Sequence, residues 1–119
     1  MPRFVAVYTG TPESHAASGW DQLDEATRKA REAKGMQAWM DWGAKYKDKI
    51  VVHGGPLGKT KSVGKDGVRD IRNNLAGYIV VEAASHEEAA AMFENHPHFA
   101  IFPGESVEVM PELPIPTLS

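Results

Sequence analysis

The segment KIVVHGGPLGKTKSV, residues 49–63, sets one imidazole, His53, between a β-forming run and a Gly-Gly-Pro turn. Histidine ordinarily titrates near pH ~6.5, so it can take or give a proton at neutral pH. Glycines at a strand end let backbone come close to a ligand, which makes His53 the leading candidate for a general base or acid. The plain alternative is a half-buried strand-edge histidine whose ring bonds a carbonyl. His96 and His98 flank Pro97. In an extended segment they point the same way, at the i,i+2 spacing of a metal-ligand pair. Catalytic zinc wants three protein ligands, and His53 or Asp41 would have to supply the third, so no metal is assigned. His96 is read instead as a catalytic polar contact and His98 as a ligand-binding residue, against a purely structural helix exit.

Asp41 sits between Trp39 and Trp42. A carboxylate there can orient a histidine, as in hydrolase triads; otherwise it is a solvated surface group. Trp39 belongs to a helical apolar stripe and reads as core, whereas Trp42 lies off that stripe and is free to face a cleft or a partner. Tyr78 either presents its hydroxyl to the cleft or packs. Lys59 and Lys61 alternate on one face of a strand, with Arg69 and Arg72 beyond; edge lysines that discourage aggregation explain them better than an anion site. His15 and His86 receive no role. The chain contains no GxGxxG, P-loop, GxSxG or HExxH pattern, so no nucleotide, serine-hydrolase or zincin chemistry is indicated and no cofactor is expected.

These groups must be held by elements that the sequence marks out. Residues 3–9, RFVAVYT, are apolar on both faces and suit a covered strand. Residues 10–19 read as a Gly/Pro/Ser/Thr loop. Residues 21–34 are strong helix formers with acid-before-base pairs at i,i+4, and Gly35 either ends that helix or bends a continuous one. Met36, Trp39, Met40, Gly43 and Tyr46 make the stripe of a core-facing helix. Residues 50–53 and 57–63 read as a strand broken at Gly54-Gly55-Pro56. Residues 65–74 are polar and carry an Asp66-Gly67 turn signal. GYIVVEA, residues 77–83, is a strand. Ser85 and Glu88 form an S-x-x-E box opening a helix with Ala89, Met92 and Phe93 on one face, which Pro97 ends at His96. Residues 105–110 alternate as a last strand, and the proline-rich tail, about 111–119, lies over a surface.

The order β-α-β-β-α-β predicts a ferredoxin-like α+β sandwich, with helices on one face of a mixed sheet and one domain over 1–119. The other sheet face must be covered, which predicts a homodimer through sheet faces. The 119 residues carry 42% hydrophobic and 24% charged side chains, a balance that argues against wholesale disorder. A formal net charge of -3 without a basic block argues against nucleic acid and anionic membranes as partners. There is no cysteine, so thiol chemistry is excluded. No signal-like segment opens the chain, and the expectation is a cytoplasmic protein.

At GGPL, LAGYIVVEAASHEEAAAMFENHP and ESVEVMPEL, the sequence resembles the YCII-related family, which includes longer DGPF-type members. The shared features span residues 36–113. The resemblance implies a ferredoxin-like fold assembled as a dimeric α/β barrel, with a cleft between helices and barrel. In short members a His–Asp pair in that cleft has been proposed as an active site. This chain departs from the pattern: KDGVRDIRNN replaces the DGPF tetrapeptide, QAWMDWGAKYK has no first-helix histidine, and His96 stands where short members have aspartate. The position of the cleft carries over, and the pair does not. The reading is cleft binding, with acid–base conversion, of a small organic molecule: His53 as base or acid, His96 as second polar contact, Asp41 as orienting carboxylate. The alternative is a non-catalytic ligand-sensing or assembly module. Cofactor-free oxygenation rests on fold analogy alone.

Overall fold

Phe4, Ala6 and Tyr8 alternate with Val5 and Val7 along β1 (Arg3–Thr9); the first three are buried and the two valines only partly so. The structure, a computed structural model, describes residues 1–117. β1 is one of the two inner strands of a four-stranded sheet in the order β2-β5-β1-β6, where β2 is Ile50–Pro56, β5 is Leu75–Glu82 and β6 is Ser106–Pro111. Every pairing is antiparallel, which corrects the expected mixed sheet. The protein is thus α+β. A separate hairpin, β3 (Thr60–Gly64) with β4 (Gly67–Ile71), turns at Lys65-Asp66. Its second strand was not foreseen, because KDGVRDIRNN is too polar to show a buried face. The turn signal was the only warning.

Three helical expectations change. The loop expected over residues 10–19 holds α1 (Pro12–Ser18), because Thr11 and Ser14 form a reciprocal capping box and Pro12 enters at the first turn. The central helix is one piece, α2 (Glu25–Lys45), started by Asp24, whose carboxylate accepts from the Thr27 amide at 2.7 Å. Gly35 lies buried within it, its missing side chain leaving room for the Phe102 ring. The stripe is the third correction. Met36 and Met40 are 58% and 66% exposed, whereas off-stripe Trp42 is buried and donates from Nε1 to the Met92 carbonyl at 2.7 Å. A stripe fixes which residues share a face, but the neighbour that seals the face decides which part of it is core.

The second helical region starts as read. Ser85 Oγ accepts from the Glu88 amide, and Glu88 Oε2 accepts from the Ala84 amide, one residue before the cap. α3 (His86–Ala91) is followed by buried Met92 and Phe93. α3 thus stops at Ala91, earlier than the stop expected at Pro97, and Asn95 turns the chain through the left-handed region at φ 57°; Pro97 instead begins α4 (Pro97–Ala100). The core lies between one sheet face and the helices: Phe4, Ala6, Tyr8, Ile79 and Val81 against Trp42, Ala89, Met92 and Phe93. Burial of such side chains stabilises by about 1.5–3 kcal/mol each for the larger ones. Pro111 belongs to β6, residues 112–117 form neither helix nor strand, and Leu113 and Ile115 are exposed. The last two residues of the expected tail, 118 and 119, lie outside the described residues. No helix among the described residues is long and apolar enough to cross a membrane.

Candidate functional site

A cavity of about 670 Å³ opens between α2 and the sheet. Its walls include Met36, Trp39 and Met40 from α2, Tyr8 and Ile79 from the sheet, and Phe102 after α4. The exposed methionines are therefore wall residues of a cleft. Two imidazoles, His53 and His98, and the phenol of Tyr8 supply polar side chains to it; Tyr78 also lines it, although its register opposite Val7 sets its side chain on the other sheet face. Among the described residues, no Lys, Arg, Asp or Glu side chain lines it.

His53 reaches this cavity through an irregularity in β2. Val52 pairs with Val80 and Gly55 with Tyr78, so His53 and Gly54 together face Ile79 alone. Such a bulge re-aims side chains, here turning His53 toward the face that carries Ile79. Gly54 makes the bulge possible: its φ is 61°, and a Cβ there would run into the Tyr78 carbonyl. His53 itself is exposed, at the cavity rim. The break expected at Gly54-Gly55-Pro56 is thus a bulge inside β2, and the second half of the expected strand leaves this sheet, residues 60–64 pairing in the separate hairpin.

The other two histidines divide. Because Pro97 opens a helical turn, His96 and His98 do not point the same way. His96 is the N-cap of α4 and completely buried. Its Nδ1 accepts from the His98 amide at 3.0 Å, so in the neutral ring the proton sits on Nε2, which has no partner. Trp39 and Trp42 stand edge-on to it, with ring centroids 4.6 and 5.0 Å away, and Tyr8 and Phe93 close the shell. Burial, and then the neighbouring His98, push the His96 pKa down to about 4. His98 lies on the cavity side. Its Nε2 donates to the Thr9 carbonyl at 2.7 Å, a carbonyl that also accepts from the Glu105 amide. Burial lowers the His98 pKa, and the bond to Thr9 works against that shift. Burial alone lifts the Tyr8 hydroxyl to about 12, so it keeps its proton.

The cavity expected to gather His53, His96 and Asp41 gathers His53 with His98 instead. His96 stands behind the wall made by Tyr8, Trp39 and Trp42. Asp41 is on the exposed side of α2, where its carboxylate accepts from Gln37 Nε2 at 2.9 Å, and it does not line the cavity. Trp42 and Tyr78 do line it, Trp42 with only the small exposed part of a core ring. Among the described residues, no three His, Asp or Glu side chains gather as a cation site. Sequence reasoning missed Tyr8 and Phe102. Tyr8 carried one usable signal, a hydroxyl at the end of an otherwise apolar strand face; Phe102, in an irregular segment, carried none. His86 donates to the Val109 carbonyl and stacks on Phe4, a structural role.

No family model matches the chain, and no curated protein matches it. Among solved structures it is similar to the 5-chloro-2-hydroxyhydroquinone dehydrochlorinase of Burkholderia phenoliruptrix AC1100, in complex with 2,5-dihydroxybenzoquinone. The identity is 19%, over 90% of this chain and 89% of that one, with a TM-score of 0.51. At that identity the likeness concerns the fold.

Proposed function

We propose that this chain is one YCII-type ferredoxin-like domain, cytoplasmic and homodimeric, that binds a small neutral organic molecule between α2 and the sheet and converts it by acid–base chemistry. The observation that carries this reading is a cavity of about 670 Å³ with aromatic and thioether walls, in which, among the described residues, the only ionisable groups are imidazoles and phenols. Ligand sites are mostly apolar, with a few polar groups that fix orientation. Without a cation in the lining, carboxylate and phosphate ligands lose their usual partners; without a carboxylate, so do amines. His53, at the exposed rim, is the base or acid, and His98, Trp42 and Tyr78 contact the ligand. His96 supports the wall from behind. Asp41 takes part only if an assembled partner brings its carboxylate to a site. The hydroxylated ring held by the dehydrochlorinase of similar fold supports the ligand class by analogy.

The strand order β2-β5-β1-β6, with helices between β1 and β2 and between β5 and β6, supports the ferredoxin-like reading. On the sheet face away from the core, Val5, Val7 and Val80 are half-buried and Val52 and Met110 are exposed. A second copy that covers this face would complete a dimeric α/β barrel. Sedimentation at micromolar concentration should then give twice the 13.0 kDa chain mass, and a stable monomer would sink the barrel. The alternative, binding without turnover, draws on one observation: among the described residues, no carboxylate side chain lines the cavity to orient either imidazole.

Gly43 gives a direct test of the site. It lines the cavity from α2, and a Cβ there meets nothing within 4 Å. Gly43→Leu should fill the cavity without a clash and gain about 1 kcal/mol of helix propensity. Binding of small neutral aromatics, followed through amide NMR shifts of Ala76 and Gly77, should be lost in the variant. Equal binding by the folded variant would place the ligand elsewhere.

A further inference from the structure

We infer that the cavity selects molecules presenting a hydroxyl, because His98 offers them one fixed hydrogen-bond acceptor at Nδ1. The inference rests on the cavity reading above and adds what the site recognises. A carbonyl only accepts, so the 2.7 Å bond from His98 to Thr9 places the ring proton on Nε2. The lone pair of the neutral ring is then at Nδ1. Nδ1 has no partner among the described residues, yet it is not one of the sealed polar atoms; those are Arg28 Nε and His96 Nε2. It belongs to a half-buried residue that lines the cavity. Such an open, unpaired acceptor on a residue that lines an apolar cavity can take a donor from a ligand there.

The ring cannot easily turn to present the other nitrogen. The backbone amide of His98 is held by His96 Nδ1, and its carbonyl accepts from the Gly104 amide at 2.9 Å. Gly104 packs so closely on the imidazole that a Cβ there would run into Nε2. Tyr8, with its ring centroid 5.2 Å from that of His98, brings a hydroxyl that keeps its proton to the same cavity. A ligand hydroxyl can donate to the imidazole and accept from such a phenol; an ether can only accept and a carboxylate finds no cation. With Trp39 and Phe102 as walls, the class that fits is an apolar ring bearing a hydroxyl.

The probes are phenol and its methyl ether, anisole, titrated by amide NMR into wild type, His98→Phe and His53→Ala. The anisole-to-phenol ratio of Kd should be about fivefold higher in wild type than in His98→Phe, the net value of one neutral hydrogen bond at about 1 kcal/mol. In His53→Ala, which removes a rim contact of the same site, both probes should bind more weakly, while the ratio stays above that of His98→Phe. Comparing ratios cancels the greater apolarity of anisole. Binding of both probes with one ratio in wild type and His98→Phe overturns the inference and leaves the cavity reading standing. So does a ratio that changes only in His53→Ala. Binding of neither probe overturns both. If His98→Phe does not fold, nitrogen NMR of wild type decides: the His98 Nδ1 resonance should be that of an unprotonated nitrogen and should move with phenol but not with anisole. A protonated Nδ1, or one that phenol leaves unmoved, overturns the assignment.

Discussion

His96 makes the stability of this protein sensitive to mild acid. Its ring is sealed among Tyr8, Trp39, Trp42 and Phe93, and its pKa falls from 6.5 to about 4, through burial first and the neighbouring His98 second. Protonation would place a second N–H on Nδ1, against the His98 amide that now donates to it. The unfolded chain therefore takes the proton first. Above pH 6.5 both states are neutral and stability is undiminished; as pH falls from 6.5 toward 4 the folded state loses ground. At 1.36 kcal/mol per pH unit, the interval corresponds to about 3 kcal/mol. That is a large share of the 5–15 kcal/mol typical of such domains. The assay is urea unfolding of wild type and His96→Phe across that pH range, at one protein concentration because association contributes to apparent stability. His96→Phe keeps the ring volume and removes the titration. It also loses the cap of α4, worth about 1 kcal/mol, but that offset does not vary with pH. Carboxylates titrate in both proteins and cancel. Wild type should lose about 3 kcal/mol more than the variant between pH 6.5 and 4. Parallel curves would refute the buried neutral imidazole.

Three other substitutions separate support from chemistry. Gly54→Ala should lower stability by about 1–3 kcal/mol or more in thermal unfolding, since a Cβ at φ 61° meets the Tyr78 carbonyl; an unchanged midpoint would deny the bulge that aims His53. Trp42→Phe should cost about 1–3 kcal/mol in urea, because the buried Met92 carbonyl loses its 2.7 Å donor, and a silent change would mean that water replaces the indole. His53→Ala, at an exposed rim position, should cost about 1 kcal/mol or less while reducing turnover once a substrate is known. A large drop in its melting midpoint would make His53 a strut between strand and turn.

The fold was legible where one element's own residues decide it. The apolar run of β1, the Ser85 box and the Asp66-Gly67 turn are local signals, and each falls where the structure has it. Errors came where a neighbour decides. Thr11 and Ser14 cap each other over a segment whose composition reads as loop. Trp42 is core because Met92 offers it a carbonyl, and Met40 is a cleft wall because nothing seals it; no helical wheel distinguishes the two. The hairpin at residues 60–71 shows no apolar alternation because it buries little, its strands being exposed along most of their length.

The site shows the same division at the scale of two residues. An i,i+2 pair of histidines reads as one two-pronged group only if the chain between them is extended. Pro97 fixes its own φ at a helix-compatible value while holding His96 in an extended conformation, so a new helical turn starts there, after α3 has already stopped at Ala91. The turn that follows rotates His98 away from His96. One imidazole then goes into the core, where its Nδ1 caps the new helix, and the other swings to the Thr9 carbonyl and the cavity. The cap explains why a histidine rather than an apolar residue fills the core position: the first amide of α4 beyond the proline needs an acceptor inside a dry shell. That requirement fixes the His96 backbone, the His96 backbone sets where α4 begins, and α4 sets where His98 stands. The residue that sequence placed in the site thereby positions the residue that the structure places there. His96→Asn tests this order, since asparagine can also cap a helix. The tautomer of His98 should survive His96→Asn and be scrambled in His96→Leu, where the His98 amide loses its acceptor. If His98 keeps its Nε2 proton in both variants, Thr9 alone holds the ring and His96 does no more than fill the core.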